Sequence, residues 1–444
     1  MSKHKKIETN DIKDWYLGRF SAFENHLNGS RDIPFHAVRK NALSTFSALG
    51  FPGRRDEEWK YTNIAPLLKH QFGLAGEVGN VTEETLRPYL FEGLENNRAV
   101  LLNGRYSEAL SNYRTAARGV IVCSMKTALK QHAALVEPHL GRHARLEDEA
   151  FVALNTAFVN DGVFVYVPDN TVVEEPLHLL FLSDATAHSF FTSPRILLVA
   201  GKNSRMKIVE THNGLGDHAY FTNVVTEAVN GAGAKVDYVK LQDERPNAYH
   251  ISHLQAHQER DSNFSFLNFD IGGRLVRNNL NLALKAENCE GHLIGFYIGG
   301  GRQHIDNHTA IDHAMPNCFS NELYKGILGG KASGVFNGKI FVRQDAQKTN
   351  AYQNNKALLL SDDATINSKP QLEIFADDVK CSHGATVGQL DDEALFYLQA
   401  RGIPKAKAQA MLQYAFASDV FNYIPLESVR EKIDQLVHER FDNI

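Results

Sequence analysis

The spacing of apolar residues changes period twice along the chain. Near the start, Ile12, Tyr16, Phe20, Phe23 and Leu27 recur at three- and four-residue steps, and Val38, Ala42, Phe46 and Leu49 repeat the pattern after Pro34. Such spacing forms one stripe on a helix, so this section predicts a packed helical region. The stretch RRDEEWKYTN after Gly53 is dense in charge around Trp59. It predicts a loop anchored by one aromatic, with a recognition segment as the alternative. Val100 to Leu102, Asn103-Gly104 and Arg105 to Ser107 predict a tight hairpin, because Asn-Gly supplies the positive φ angles of a type I′ turn.

From about Gly162 to about Leu360 the pattern becomes short β-rich runs, among them VFVYVP, LHLLFL, RMKIVETH, FSFLNFDI and KIFVRQD, separated by Gly, Asn, Asp and Pro turns. Many strands without intervening helices exclude a doubly wound α/β sheet. A sandwich, a barrel and a β-solenoid remain, and the unbroken length of the run favours the solenoid, an elongated body whose ends need caps. The last section is helical again. Asp391 and Asp392 cap a helix through Leu395 and Leu398 to Arg401, and Gly402 ends it. Pro404 opens a second helix, predicted to put Ala408, Met411, Leu412, Ala415 and Phe416 on one face. Pro425 leads into a third with Leu426, Val429, Ile433, Leu436 and Phe441.

Composition narrows the function classes. The 444 residues carry 47 basic and 52 acidic side chains, a net charge of -5, which argues against a nucleic-acid partner. The most apolar runs, Gly162 to Val167 and Leu177 to Leu182, are strand-length, far below the roughly 20 residues of a membrane helix, so no membrane is expected. Met1 to Asn10 lacks an apolar core of a signal peptide, which makes the cytoplasm the default location. Cys123, Cys289, Cys318 and Cys381 show no C-x-x-C spacing, so one chain is not expected to hold an iron-sulfur cluster alone.

Several residues are candidates for chemistry. In HIDNHTAIDH a strand aligns His304, Asp306, His308 and Asp312 on one face. The row fits a metal site of a cupin-like metalloenzyme, or a hydrogen-bonded ladder along a solenoid. His250, His253 and His257 are read as surface histidines. Gly299-Gly300-Gly301 and Gly329-Gly330 lack the Gly-Lys-Ser/Thr ending of a phosphate loop and predict tight turns instead. No Walker, G-x-S-x-G or dinucleotide motif is present, so an enzyme acting alone is not expected. Cys381 and His383, two apart beside Lys380, suit a low-pKa nucleophile, a sulfur acceptor or a soft-metal ligand pair, or a buried cysteine beside a hydrogen-bonded histidine.

The run KPQLEIFADDVKCSHGATVGQLDDEALFYLQARGIP, followed by AQAMLQYAF, resembles the C-terminal signature of the SufB/SufD family, scaffold subunits of the Suf iron-sulfur cluster assembly machinery. RRDEEWKYT, FVALNTAFVNDGVFVYVP and NELYKGILGGKASGVFNGKIFV extend the likeness over most of the chain. The wording C-S-H-G-A at Cys381 to Ala385 is similar to the SufD branch, where SufB reads closer to C-E-H-E-A; a SufB-type subunit receiving sulfur is the nearest alternative. The resemblance implies a mainly β chain: a right-handed parallel β-helix over residues 151–388, a helical region with a small hairpin over 1–150, and a helical ATPase-docking region over 389–444. It implies a non-enzymatic scaffold that pairs with a SufB-type subunit and docks a SufC-type ATPase, and leaves open a homodimer when SufB is absent. His383 takes the position of a candidate ligand of the nascent cluster shared with the partner, and Cys381 that of a neighbouring interfacial cysteine. Leu398, Arg401, Gly402, Ile403, Pro404, Met411 and Phe416 fall in the ATPase-docking region. The cofactor implied is a transient interfacial cluster, none tightly bound to the single chain, with a flavin in the complex left open.

Overall fold

The structure is a computed structural model that describes residues 9–25, 27, 34–76, 79 and 81–441. The first two helices form over Thr9–Asn25 and Phe35–Leu49 and bury Ile12, Tyr16, Phe20, Phe23, Ala42 and Phe46, while Leu49 in the last turn stays exposed. The predicted hairpin is present: Leu101 lies opposite Tyr106, with Asn103 at φ 48° and Gly104 at φ 76°. Its first strand, Arg98–Leu102, also pairs in parallel with Leu177–Asp184, so the hairpin finishes one end of a sheet.

Beyond a buried helix at Ala150–Phe158, the chain winds into a parallel β-solenoid of eight turns, Gly162 to Gly388. Alternate strands belong to two facing sheets, so each turn gives one strand to each. Leu275 lies opposite His304 and His304 opposite Ser333, which sets a rung of 29 residues there. The glycine pairs sit at the corners as predicted. Gly330 has φ 60°, and a Cβ on it would lie 3.0 Å from the backbone nitrogen of Gly301 one turn below.

Three layers of apolar packing result. Inward residues of both sheets, such as Leu254, Phe266, Leu282 and Leu293, fill the tube. Outward residues of the first sheet, including Phe221, Tyr249 and Leu275, pack under the N-terminal helices. Outward residues of the second, including Leu267, Phe269 and Phe296, pack under the helices Lys405–Phe421 and Glu427–Phe441. The C-terminal helices therefore lie along the flank of the solenoid. Among the described residues, no helix is long and apolar enough to cross a membrane.

Two sequence expectations change. In Lys405–Phe421 the buried residues are Ala408, Gln413, Ala417, Val420 and Phe421, whereas Met411 is 43% exposed. The helix turns its Ala417 and Phe421 side to the apolar row of the second sheet. His250 and His253 are not surface residues: both lie on the strand Ala248–Gln258 and are buried, and His257 is half-buried. Their spacing spans both faces of a strand whose two sides are covered, so a polar side chain is buried whichever way it points.

Candidate functional site

The charged stretch around Trp59 is an arm laid across the outer face of the first sheet. Trp59 is buried, and the Arg277 guanidinium lies 3.7 Å from its ring centroid, as expected of an anchoring aromatic. On each side the arm reaches successive turns. Thr62 hydrogen-bonds His304 at 2.8 Å and also Asp306. Glu58 meets His308 at 3.4 Å and pairs with Lys339, and Glu57 pairs with Lys369 at 2.6 Å. The hydrogen bond with His308, together with Lys339, holds the Glu58 carboxyl down at about 2 despite its partial burial. Arg277, Asp306, Lys339 and Lys369 stand on four consecutive strands of the sheet, so the arm ties the N-terminal region to the last turn.

The same contacts decide between the two readings of HIDNHTAIDH. His304 uses both ring nitrogens, on Thr62 at 2.8 Å and Ser333 at 2.7 Å. Asp306 is paired with Arg277 at 2.8 Å and His308 at 3.1 Å. Burial alone would raise the Asp306 carboxyl, but Arg277 and His308 hold it well below the usual range. These side chains form the hydrogen-bonded ladder, and among the described residues no group of three or more acids, histidines and cysteines has metal-binding geometry.

Cys381 and His383 stand on the last strand, Val379–Gly388, opposite Ala351 and Gln353 of Thr349–Leu359. Ala351 and Gln353 are buried and point into the tube, so Cys381 and His383 continue the inward rows at its end. Cys381 is half-buried, and burial pushes its thiol up, against the low-pKa reading. His383 is exposed and hydrogen-bonds no carboxylate among the described residues. The buried carboxyl in its row is Glu322, two turns back, where Gln353 intervenes and donates to it at 2.7 Å. Burial pushes Glu322 up to about 7. Cys289 and Cys318 are brought together, buried, on adjacent turns; they stand one 29-residue rung apart, a signal that needs the length of the rung to be read.

The last turn is the uncovered end of the solenoid. Thr365–Ile374 and Val379–Gly388 each have a neighbour on one side only among the described residues. Ile374, Phe375 and Val387 are exposed around them. Next to this end, Asp391 caps the helix Asp392–Ala400, accepting from the amides of Glu393 at 2.8 Å and Ala394 at 3.1 Å. Gly402 has φ 86° at its end. Leu398 and Ile403 are half-buried, and Arg401, Gly402, Pro404 and Met411 are exposed. Phe416 packs on the solenoid, with its carbonyl held by the Lys325 ammonium at 2.7 Å. The structure adds Phe396 and Tyr397, 73% and 54% exposed, with Arg401 stacked 3.9 Å from the Tyr397 ring centroid. The sequence signal was two adjacent aromatics in a helix already supplied with Leu395 and Leu398 for its inner side.

Residues 181–416 match the family described as SUF system FeS cluster assembly, SufBD core domain, and residues 10–179 match the SufBD protein N-terminal region. The chain belongs to the SufBD family. It is 34% identical over 420 residues to an iron-sulfur cluster assembly SufBD family protein of Synechocystis, covering 93% of this chain and 92% of the relative. It is 30% identical over 394 residues to the iron-sulfur cluster assembly protein SufD of Escherichia coli, covering 88% and 89%. A chloroplastic protein of Arabidopsis thaliana, ABCI7, is 28% identical over 413 residues, covering 91% and 85%.

Proposed function

We propose that this SufBD family protein is a SufD-type scaffold subunit, without ATPase or other catalytic activity of its own, in a cytoplasmic iron-sulfur cluster assembly complex. The observation that carries the reading is the open last turn. Two strands with unpaired edges, an apolar rim and an exposed histidine on an inward row suit a surface completed by another solenoid, here a SufB-type subunit. In that pairing His383, with Cys381 beside it, supplies one side of a composite site for a cluster that is cargo. One imidazole and one half-buried thiol from this chain make a site that opens when the subunits separate, whereas four thiolates from one chain would retain the cluster. The helix pair with Phe396, Tyr397, Arg401 and Met411 at its surface is the proposed seat of a SufC-type ATPase. Aromatic, Met and Arg side chains are those enriched at protein interfaces.

The test is cluster formation in a complex reconstituted from this chain and its SufB-type and SufC-type partners. With His383→Ala the complex assembles and the cluster yield falls severalfold; an undiminished yield removes the ligand role. Phe396→Ala with Tyr397→Ala releases the ATPase while leaving the solenoid pair intact; retention of the ATPase at unchanged affinity removes that seat.

A further inference from the structure

A cleft of about 510 Å³ opens at one edge of the solenoid, away from the last turn and independent of the cluster reading. Its floor is three stacked corners: Asp243 to Pro246, Ile271 to Arg274, and Gly300 to Gln303. Tyr89 and Arg440, the latter from the helix Glu427–Phe441, line it as well. The volume falls within the range of small-molecule sites, about 300–1,000 Å³.

Charge in the cleft is unbalanced. Arg245, Arg274, Arg302 and Arg440 line it against Asp243 and Glu244. Both acids already have partners, one inside the cleft and one outside it. Asp243 pairs with Arg440, and Glu244 is buried, bonded to His250 at 2.7 Å and Thr222 at 2.8 Å. Arg245 keeps an exposed pair with Asp217 at 3.3 Å. Arg274 and Arg302 have no acid partner among the described residues. They come from adjacent turns, since Arg274 precedes Leu275 and Gln303 precedes its register partner His304. Neighbouring strands lie about 4.8 Å apart, so two arginines without an acid partner line one cleft from adjacent corners, and Arg274 also lines the adjoining recess with His70 and Tyr249.

Two of the corners also carry paired glycines, Gly272-Gly273 and Gly300-Gly301. Gly273 has φ 76° and Gly301 φ 56°, and a Cβ on Gly272 would stand 2.4 Å from the Glu244 carbonyl oxygen. Gln303 fixes this backbone by accepting from the Gly300 amide at 2.9 Å and donating to the Gly273 carbonyl at 2.7 Å. Glycine corners let a ligand approach the backbone closely, and guanidinium forks match the paired oxygens of phosphate.

We infer that this cleft binds a small phosphorylated ligand, its phosphate groups held between Arg274 and Arg302. The test is titration of the full chain with inorganic pyrophosphate. One saturable site per chain is expected, weakened at least tenfold in the double variant Arg274→Ala, Arg302→Ala and weakened by added salt. Lys331→Ala, which alters an exposed pair with Asp363 elsewhere, leaves the affinity unchanged. No saturable binding in the millimolar range, or equal affinity in wild type and double variant, overturns the inference. ADP and vesicles containing a phosphoinositide, titrated in parallel, distinguish the source. Arginine-dependent binding of ADP tighter than pyrophosphate identifies a soluble phosphate ester, and arginine-dependent binding to the vesicles identifies a lipid headgroup.

Discussion

The strands Leu275–Leu284 and Val379–Gly388 have the same length and both pair in parallel, yet nine of ten residues are buried in the first and none in the second. The inner strand has a neighbour on each side, the N-terminal region over its outer face and the tube interior beneath it. Among the described residues, the last strand has one neighbour, and of its inward side only Val379 and Cys381 pack, partly buried, on the end of the tube core. In a solenoid each turn is stabilised by the turns it touches, so an uncapped final turn is the weakest unit. The C-terminal helices have the apolar material for a cap, but the second sheet's outer row takes it at Phe269 and Phe296, against Phe421. The difference teaches that the open end follows from where the helices dock. Among the described residues, its edges and apolar rim stay uncovered.

The comparison breaks first if the buried middle tolerates lost charge. Glu227 is fully buried, paired with Arg195 at 2.7 Å, and accepts from the amides of Gly141, His143 and Ala144. Burial favours its neutral form, but Arg195 and those amides hold it ionised, below its ordinary pKa. Glu227→Ala leaves a buried guanidinium and three amides unmet, so about 3–5 kcal/mol of stability is lost, read as a lowered urea midpoint. A midpoint within error of wild type would show that water reaches this interior.

A smaller effect separates the turns by pH. Glu322 titrates at about 7 in the folded chain against an ordinary 4.5, because burial disfavours its charge. Folding therefore takes up a proton between these values, and this group's contribution to stability declines as pH rises from about 4.5 to 7. Glu322→Gln keeps an acceptor for Gln353 without the titration. It removes that decline and leaves the variant about 1–3 kcal/mol more stable than wild type at pH 8. Identical slopes for the two proteins across this window would mean that Glu322 is solvated in the folded state.

The elements were legible because period is a local property. The stripe from Ile12 to Leu27, the Asn103-Gly104 turn, the strands and the Asp391 cap all depend on residues close in sequence. What the chain did not disclose depends on partners one or more turns away. Lys240 is buried with His250 at 3.0 Å, Ser252 at 2.9 Å and Asn278 at 2.8 Å, a cluster drawn from three strands. Nothing in the local pattern distinguishes that Lys or His from a solvated one. The inner face of Lys405–Phe421 differs from the apolar stripe for the same reason, since a helix with apolar residues on several sides takes its orientation from the surface it meets. RRDEEWKYTN was conspicuous as a segment, yet its targets lie between Arg277 and Lys369. At the last turn, Cys381 and His383 were singled out by spacing and resemblance, and the structure added their inward row and their uncovered edge.

The smallest stability effect belongs to His383. It is exposed on a strand with one neighbour and leaves no buried group unpaired when removed, so His383→Ala should shift the urea midpoint by less than about 0.5 kcal/mol in the isolated chain. Hydrogen exchange should show the same: protection of residues 275–284 exceeds that of 379–388, and the variant changes neither. A loss above about 1 kcal/mol would mean that His383 packs inside the tube and serves the fold. A negligible loss, combined with reduced cluster yield in the reconstituted complex, separates a residue kept for its partner from one kept for its neighbours. The two ends of the comparison then differ in kind, because the inner turns spend their polar groups on each other and the last turn leaves one free.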